Sequence, residues 1–271
     1  MTAAWRAGAA TLLALLCGAL PASGRAAGAA ESTFLPKYDW ALEVDGTPVD
    51  EARFFLEREG RRILVQAPQL PKVALINPSG QQVRSLDLLN VVIQPDGEGA
   101  RLAPGAEESV APATYKMEGA QVLFFMGSKR LKIIPKRHLE GPASDDQILR
   151  HSPMYKKGMD SYTPDKDAVA YLKSYASPVR IEVFFGTWCP HCKELIPRFM
   201  KSVRVAGNSK LAVSYVGVPK EFGTYAPARA KGVRGVPTFI FYRGESEFGR
   251  IPGEPTNGSI ERAVADMLKT Q

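Results

Sequence analysis

The chain has 271 residues, of which 35 are Lys or Arg and 28 are Asp or Glu, so its formal net charge is +7. Acidic residues are interspersed with the basic ones, as in Lys193-Glu194 and Glu261-Arg262, and no basic stripe with interleaved aromatic residues is present. We therefore interpret the excess charge as a solvated surface with a mild preference for acidic partners, and we exclude nucleic-acid binding.

Residues 1–29 have the features of an export signal. A basic residue, Arg6, precedes an apolar run from Thr11 to Leu20, and small residues follow it up to Ala30. A run of about 10 residues is too short to cross a bilayer, which takes about 20. We predict cleavage between Ala22 and Ala30 and a mature protein that is periplasmic or otherwise extracytoplasmic. The alternative is an uncleaved membrane anchor.

Residues 30–140 form a predicted β-rich domain whose role the sequence does not give. Short apolar or alternating runs that are separated by Gly, Pro, Asn and Asp are typical of strands. These runs lie at residues 38–44, 62–66, 72–76, 86–94, 121–126 and 130–134. We interpret residues 51–59 as a short helix and residues 97–112 as a loop. After signal removal about 240 residues remain, which suits two domains.

Residues 141–164 are predicted to be a linker. A capping box at Ser144 is expected to start a short helix. The residues that interrupt the pattern after it are Pro153, Gly158 and Pro164. His138 and His151 have no partners at a spacing typical of a metal or acid–base site, so we assign both of them surface or structural roles.

From residue 165 to residue 271 the pattern changes to alternating helices and strands. Helical spacing and apolar strand composition distinguish the two kinds of segment. The segments are helix 166–176, strand 179–185, helix 189–205, strand 211–218, helix 224–231, strands 238–242 and 247–251, and helix 259–269. This order, αβαβαββα, predicts an α/β domain, in which a ligand site usually lies at the carboxyl end of a strand.

The chemistry of this domain is expected in Cys189-Pro190-His191-Cys192, which follows the first of these strands. Signal cleavage removes Cys17, so these two cysteines are the only ones in the mature chain. A disulfide between them closes too short a loop to add much folding stability. At the first turn of a helix, free amide groups and the helix dipole stabilise a thiolate, which favours a reactive pair over a structural staple.

Two alternatives from other functional classes stay open. The two thiolates could hold Cu(I), with His191 as a third ligand, although no further Cys and no Met-rich run completes a metal site. The domain could also be a non-catalytic binding scaffold, although binding alone does not need a pair of thiols.

Four features in order resemble the thioredoxin superfamily, and in particular its exported thiol–disulfide oxidoreductases. They are Trp188-Cys189-Pro190-His191-Cys192 after an apolar strand, Pro197 in the following helix, Gly235-Val236-Pro237-Thr238, and the closing ββα unit. The resemblance implies an α/β fold with a thioredoxin-like C-terminal domain preceded by a smaller β-rich N-terminal domain. The CPHC sequence and Arg234-Gly235-Val236-Pro237 are similar to DsbA-type oxidases. Those proteins insert a helical domain between the two motifs, for which this chain has no room.

The resemblance assigns catalytic roles to four residues. Cys189 is implied to be the exposed nucleophile, and Cys192, one helical turn further, the buried thiol that resolves the mixed disulfide. Pro190 shapes the first turn without needing an amide donor. His191, when protonated, would stabilise the Cys189 thiolate and make the disulfide a stronger oxidant, whereas a solvent-facing spacer is the alternative.

Substrate-binding roles are implied for Trp188, Val236 and Pro237. Trp188 is expected to cover the disulfide, a cis Pro237 to face it, and Val236 to offer backbone groups to an extended substrate. The family also has a buried acid six positions before the first cysteine, where this chain has Val183. Alternation along the strand is expected to point the neighbouring Glu182 to the other face.

We therefore expect an exported thiol–disulfide oxidoreductase that acts on protein substrates, with a preference for oxidation. A periplasmic reductase and a dimeric disulfide isomerase of the same superfamily are the alternatives. Its partners would be exported proteins with thiols or disulfides, a membrane redox partner that resets the active site, and a second copy bound through residues 30–140. We expect no metal and no cofactor other than the redox-active disulfide Cys189–Cys192.

Overall fold

The computed structural model describes residues 32–107, 110–256 and 258–270. The predicted signal peptide, residues 1–29, lies outside the described residues. The strands of the N-terminal part are β1 (Ser32–Lys37), β2 (Trp40–Val44), β3 (Thr47–Val49), β4 (Arg53–Glu57), β5 (Ile63–Gln66), β6 (Val73–Asn77), β7 (Gln82–Leu86), β8 (Val91–Ile93), β9 (Ala100–Leu102), β10 (Ala113–Thr114), β11 (Lys116–Glu118), β12 (Gln121–Met126) and β13 (Lys129–Pro135).

The C-terminal part mixes strands with helices. Its strands are β14 (Gly141–Ala143), β15 (Val179–Phe185), β16 (Leu211–Gly217), β17 (Thr238–Arg243) and β18 (Ser246–Pro252). Its helices are α1 (Asp145–His151), α2 (Pro153–Ser161), α3 (Lys166–Ser174), α4 (Pro190–Ala206), α5 (Ala226–Ala230) and α6 (Ile260–Lys269). Among the described residues, none of the helices is long and apolar enough to span a membrane.

Two antiparallel sheets build the N-terminal part. One has eight strands in the order β10-β7-β6-β5-β4-β1-β9-β8, and the other has five in the order β11-β12-β13-β2-β3. Both sheets contribute to one apolar core, which includes Leu42, Phe54 and Phe124. The eight-stranded sheet buries its other face in a second core around Phe34 and Phe55. The prediction of a β-rich region is therefore confirmed.

The interpretation of residues 51–59 as a short helix is wrong, because this segment contains β4. Phe54 lies in the core shared by the two sheets, whereas the adjacent Phe55 lies in the core on the opposite face. Successive side chains point to opposite faces in a strand, and a strand covered on both faces is apolar without alternation. Residues 97–112, interpreted as a loop, contain β9, which pairs with β1 and β8.

The third sheet, of five strands, carries the C-terminal part in the order β14-β16-β15-β17-β18. Strand β15 pairs with β16 in parallel and with β17 antiparallel. The chain runs α3-β15-α4-β16-α5-β17-β18-α6, so the predicted order αβαβαββα is observed. The sheet buries apolar residues on both faces, and the first strand-to-helix junction, from β15 to α4, lies at the carboxyl end of the central strand β15.

Residues 141–164, expected to be a linker, are folded onto this third sheet. Strand β14 pairs with the edge of β16, and the predicted capping box at Ser144 starts α1. Ile148, Tyr155 and Met159 of α1 and α2 are buried in the same core as the two cysteines. Gly158, expected to interrupt the pattern, lies inside α2. A Cβ at this position would lie 2.9 Å from Pro197 Cγ of α4, so the glycine allows the two helices to approach closely. The domain boundaries at residues 140 and 165 stay predictions.

Glu261, interpreted with Arg262 as part of a solvated surface, is fully buried at the start of α6. Its carboxylate accepts hydrogen bonds from the Tyr162 hydroxyl at 3.0 Å, the Asp165 N–H at 2.7 Å and the Ser202 hydroxyl at 3.1 Å. A buried carboxylate is tolerated when donors surround it in this way. Glu261 therefore ties α6 to α4 and to the start of α3.

Candidate active site

The two cysteines lie at the amino end of α4, directly after the turn that follows β15. Cys189 is the N-cap of α4, and its Sγ accepts a hydrogen bond from the Cys192 N–H at 3.5 Å. Pro190 occupies the first turn, where the helix has no internal acceptor for an amide hydrogen. The sulfur of Cys189 thus lies where the amide groups and the dipole of a 17-residue helix favour negative charge.

Both thiols are buried in the structure. Cys192 is fully buried, as predicted, and its Sγ accepts a hydrogen bond from the Gly186 N–H at 3.4 Å. Burial raises the pKa of the Cys192 thiol well above its usual range. The hydrogen bond from Gly186 lowers this pKa, and the nearby Cys189 sulfur raises it further. The expectation that Cys189 is exposed is wrong, because this residue is only 4% exposed. Its S–H donates a hydrogen bond to the Val236 carbonyl at 3.4 Å, so the sulfur lies beneath the loop that contains Val236.

The loop opposite the cysteines contains a cis peptide bond between Val236 and Pro237. The Pro237 carbonyl accepts a hydrogen bond from the Gly253 N–H at 2.7 Å, and the Thr238 hydroxyl donates to the Gly235 carbonyl at 2.7 Å. These bonds fix the loop from both sides. Because the Val236 carbonyl accepts the hydrogen bond from Cys189, the structure places Val236, and with it the adjoining Pro237, next to the nucleophile that the sequence predicts.

Trp188 packs against the apolar cores on both faces of the third sheet. Its Nε1–H donates to the Val218 carbonyl at 3.0 Å, and its ring stacks on Phe222 with the centroids 6.2 Å apart. A Cβ at Gly186 would lie 2.6 Å from the indole, so only glycine fits there. Sequence reasoning did not single out Gly186, although its place between a strand and the cysteine motif was a usable signal.

His191 is exposed and points to a carboxylate that the sequence did not reveal. Its Nδ1 lies 2.8 Å from Glu254 Oε1, and the two side chains are 63% and 48% exposed. Glu254 follows β18, 63 residues further along the chain. Nothing in the local sequence connects these two residues, and only the return of β18 to the central strands brings them together.

A connection from the N-terminal part supports the turn before the cysteines. Thr187 is buried, and its Oγ1 lies 3.1 Å from His138 Nδ1 and accepts a hydrogen bond from the Leu139 N–H at 3.3 Å. Lys193, directly after Cys192, bonds to Asp39 at 2.9 Å. The N-terminal part therefore contacts the active-site turn itself, and His138 has a structural role there.

Two titratable residues near the site do not contact the cysteines. Glu182 lies on the opposite face of β15, where it accepts a hydrogen bond from the Tyr242 hydroxyl at 3.2 Å. Val183 is the residue that faces the core containing the cysteines. Burial lowers the pKa of His151 to about 4, and the positive charge of Lys136 acts in the same direction. In the part of the chain that the structure describes, no three His, Cys, Asp or Glu side chains form a cluster that could hold a metal ion.

Comparison with known proteins identifies the C-terminal part. The family model for thioredoxin matches residues 168–266, which include both cysteines and the cis-proline loop. Thioredoxin-2 of Saccharomyces cerevisiae is 32% identical over 108 residues, which are 38% of this chain and 95% of that protein. Among solved structures, thioredoxin f2 of Chlamydomonas reinhardtii is 20% identical, with a TM-score of 0.29, over 40% of this chain and 94% of that one. The sequence match over nearly the whole length of the yeast protein shows that this chain belongs to the thioredoxin family.

Proposed function

We propose that the protein is an exported thiol–disulfide oxidoreductase that exchanges disulfides with protein substrates through Cys189 and Cys192. The observation that carries this proposal is the placement of Cys189 Sγ at the amino end of α4, with Cys192 one turn behind it and Val236 in front. Membership of a family of redox proteins supports it. The export step and the periplasmic location rest on residues 1–29 and on the sequence alone.

The proposed oxidation of a substrate proceeds in two exchanges. A substrate thiolate attacks Cys189 Sγ of the Cys189–Cys192 disulfide, which forms a mixed disulfide and releases Cys192 as a thiolate that takes up a proton. A second substrate thiolate then attacks the substrate sulfur, which closes the substrate disulfide and releases Cys189 as a thiolate. Two electrons move from the substrate to the protein. A membrane redox partner that accepts these two electrons would restore the disulfide.

The helix end acts on the second exchange. Cys189 leaves as a thiolate at the position where the α4 amide groups point, so the helix stabilises the leaving group. His191, in the same turn, adds a positive charge when it is protonated. Both effects stabilise the reduced protein, which is the property of an oxidant and supports this direction over the reductase alternative.

The substrate is proposed to bind at the cis-proline loop. The Val236 carbonyl accepts a hydrogen bond from the Cys189 S–H. An extended substrate segment that pairs with the Val236 backbone would replace this bond and would bring its own sulfur to Cys189. Trp188 and Pro237, the neighbours in sequence of Cys189 and Val236, are proposed to flank the bound segment.

The proposal is tested by disulfide transfer to a reduced peptide that contains two cysteines. The oxidised mature protein should convert one equivalent of peptide to its disulfide form, as followed by mass spectrometry after alkylation. Cys189→Ser should abolish transfer, whereas Cys192→Ser should form a mixed disulfide with substrates at Cys189 and stop there. Transfer at the wild-type rate by Cys189→Ser, or none by the wild type in either direction, would contradict the proposal.

A further inference from the structure

Tyr155, in the middle of α2, carries a hydroxyl group that is out of place in an apolar core. The side chain is fully buried. Within the described residues, its hydroxyl is the one buried side-chain polar atom that lacks a hydrogen-bond partner. A buried hydroxyl that makes no hydrogen bond is less favourable than a phenylalanine ring of the same shape. We therefore ask which function of the protein requires a hydroxyl group at this position.

The surroundings of this hydroxyl point to the two thiols. Tyr155 belongs to the same core cluster as Cys189 and Cys192, and α2 is held against α4 by the contact of Gly158 with Pro197. Burial raises the pKa of Tyr155, and negative charge on Cys192 and then on Cys189 raises it further. The hydroxyl is therefore within electrostatic reach of both sulfur atoms and keeps its proton at neutral pH.

Cys192 needs a donor that the thioredoxin-like sheet does not supply. It must carry negative charge when it attacks the mixed disulfide, yet its Sγ accepts one hydrogen bond, from the Gly186 N–H. The position of the expected buried acid is the apolar Val183, and Glu182 lies on the other face of the strand. Tyr155 belongs to a helix that lies before the family match at residues 168–266.

We propose that the Tyr155 hydroxyl is the buried group that donates a hydrogen bond to Cys192 Sγ when this sulfur is a thiolate. The inference rests on the proposed function and adds a catalytic residue to it. In the resolving step, the Cys192 thiolate attacks Cys189 Sγ, the Cys189–Cys192 bond forms, and the bond from Cys189 to the substrate sulfur breaks. The substrate thiolate leaves and takes a proton from water. Tyr155 keeps its own proton throughout.

The test uses Tyr155→Phe in the mature protein, because this change removes only the hydroxyl. Tyr215→Phe is the matched control, since Tyr215 is a buried tyrosine of the same core whose charged neighbours are Asp145 and Arg204. Reduced protein is mixed with glutathione disulfide and quenched with acid at intervals. Mass spectrometry then separates the formation of the mixed disulfide at Cys189 from its resolution by Cys192.

We expect Tyr155→Phe to form the mixed disulfide at the wild-type rate and to resolve it roughly tenfold more slowly, the loss expected for one hydrogen bond to a charged group. Tyr215→Phe should leave both rates unchanged. A purely structural role would slow both steps or neither. Wild-type resolution by Tyr155→Phe, or equal slowing by Tyr215→Phe, would overturn the role of Tyr155 and leave the proposed function standing. A wild-type protein that forms no mixed disulfide would overturn both.

Discussion

The pair formed by His191 and Glu254 gives a prediction about the direction of electron flow. The Glu254 carboxylate lies 2.8 Å from His191 Nδ1, so it places a negative charge beside the first turn of α4. Glu254→Gln removes this negative charge and leaves the surroundings of Cys189 more positive. The thiolate, and with it the reduced protein, is then stabilised. We therefore expect Glu254→Gln to be a stronger oxidant than the wild type.

The size of this effect follows from the exposure of the pair. Both side chains are about half exposed, and interactions between exposed charges are worth about 0.2–1 kcal/mol, which we take as the range for the effect of the carboxylate on the thiolate. This free energy corresponds to a change of about 1.4- to 5-fold in the equilibrium constant with glutathione. Because solvent ions screen exposed charges, the difference between variant and wild type should shrink in 1 M salt, where the Debye length is about 3 Å.

The assay equilibrates each protein with glutathione buffers and counts free thiols by alkylation and mass spectrometry. Glu245→Gln is the matched control, because Glu245 is a fully exposed carboxylate in the turn between β17 and β18. It should leave the equilibrium constant unchanged. An equilibrium constant for Glu254→Gln that equals the wild-type value, or that moves towards a weaker oxidant, would refute the reasoning.

Three further changes test the contacts around the site. Glu261→Ala should lower the free energy of unfolding in urea by about 1.5–3 kcal/mol, because the buried Ser202 hydroxyl and the part-buried Tyr162 hydroxyl and Asp165 N–H lose a charged acceptor. Thr187→Val should cost about 1–3 kcal/mol in the same experiment and should slow disulfide transfer, because the Leu139 N–H loses its acceptor beside the active-site turn. The stability of the wild type should fall as the pH drops from about 6.5 towards about 4, because the unfolded chain binds a proton at His151 that the folded protein does not. The thermal midpoint of His151→Asn should fall less over the same range.

Each of these predictions has an outcome that contradicts it. A loss of less than about 1 kcal/mol for Glu261→Ala would mean that the buried carboxylate does not hold its three elements together. Wild-type stability and wild-type transfer in Thr187→Val would show that the N-terminal part does not support the turn. If the midpoint of His151→Asn falls as much as that of the wild type between pH 6.5 and pH 4.5, His151 is not the group that titrates.

Sequence reasoning succeeded where the signal is local. The first turn of α4 follows from a proline at its start and cysteines one turn apart, and the structure shows both. The αβαβαββα order could be predicted because the apolar residues of each segment recur with a clear helical or strand period. The prediction failed at β4, because two adjacent phenylalanines that are buried in different cores give no alternation of apolar and polar residues.

The contacts that shape the site come from residues distant in the sequence. Glu254 lies 63 positions after His191, and His138 lies 49 positions before Thr187. Tyr155 belongs to the segment predicted to be a linker. Two prolines and a glycine interrupt the helical pattern of the sequence there, so the two helices are not evident from it. No pattern within one element reports such contacts, because they depend on how elements pack. The burial of Cys189 beneath the Val236 loop has the same cause.

Cys189 and Cys192 are proposed to form a redox-active pair whose reduction potential is that of an oxidant. Alkylation of the mature protein after equilibration with glutathione buffers tests this proposal most directly. We predict a single two-electron transition at about −120 mV that is absent from Cys192→Ser. A transition at about −270 mV would contradict the oxidant assignment, and no transition between about −100 and −300 mV would contradict the redox function itself.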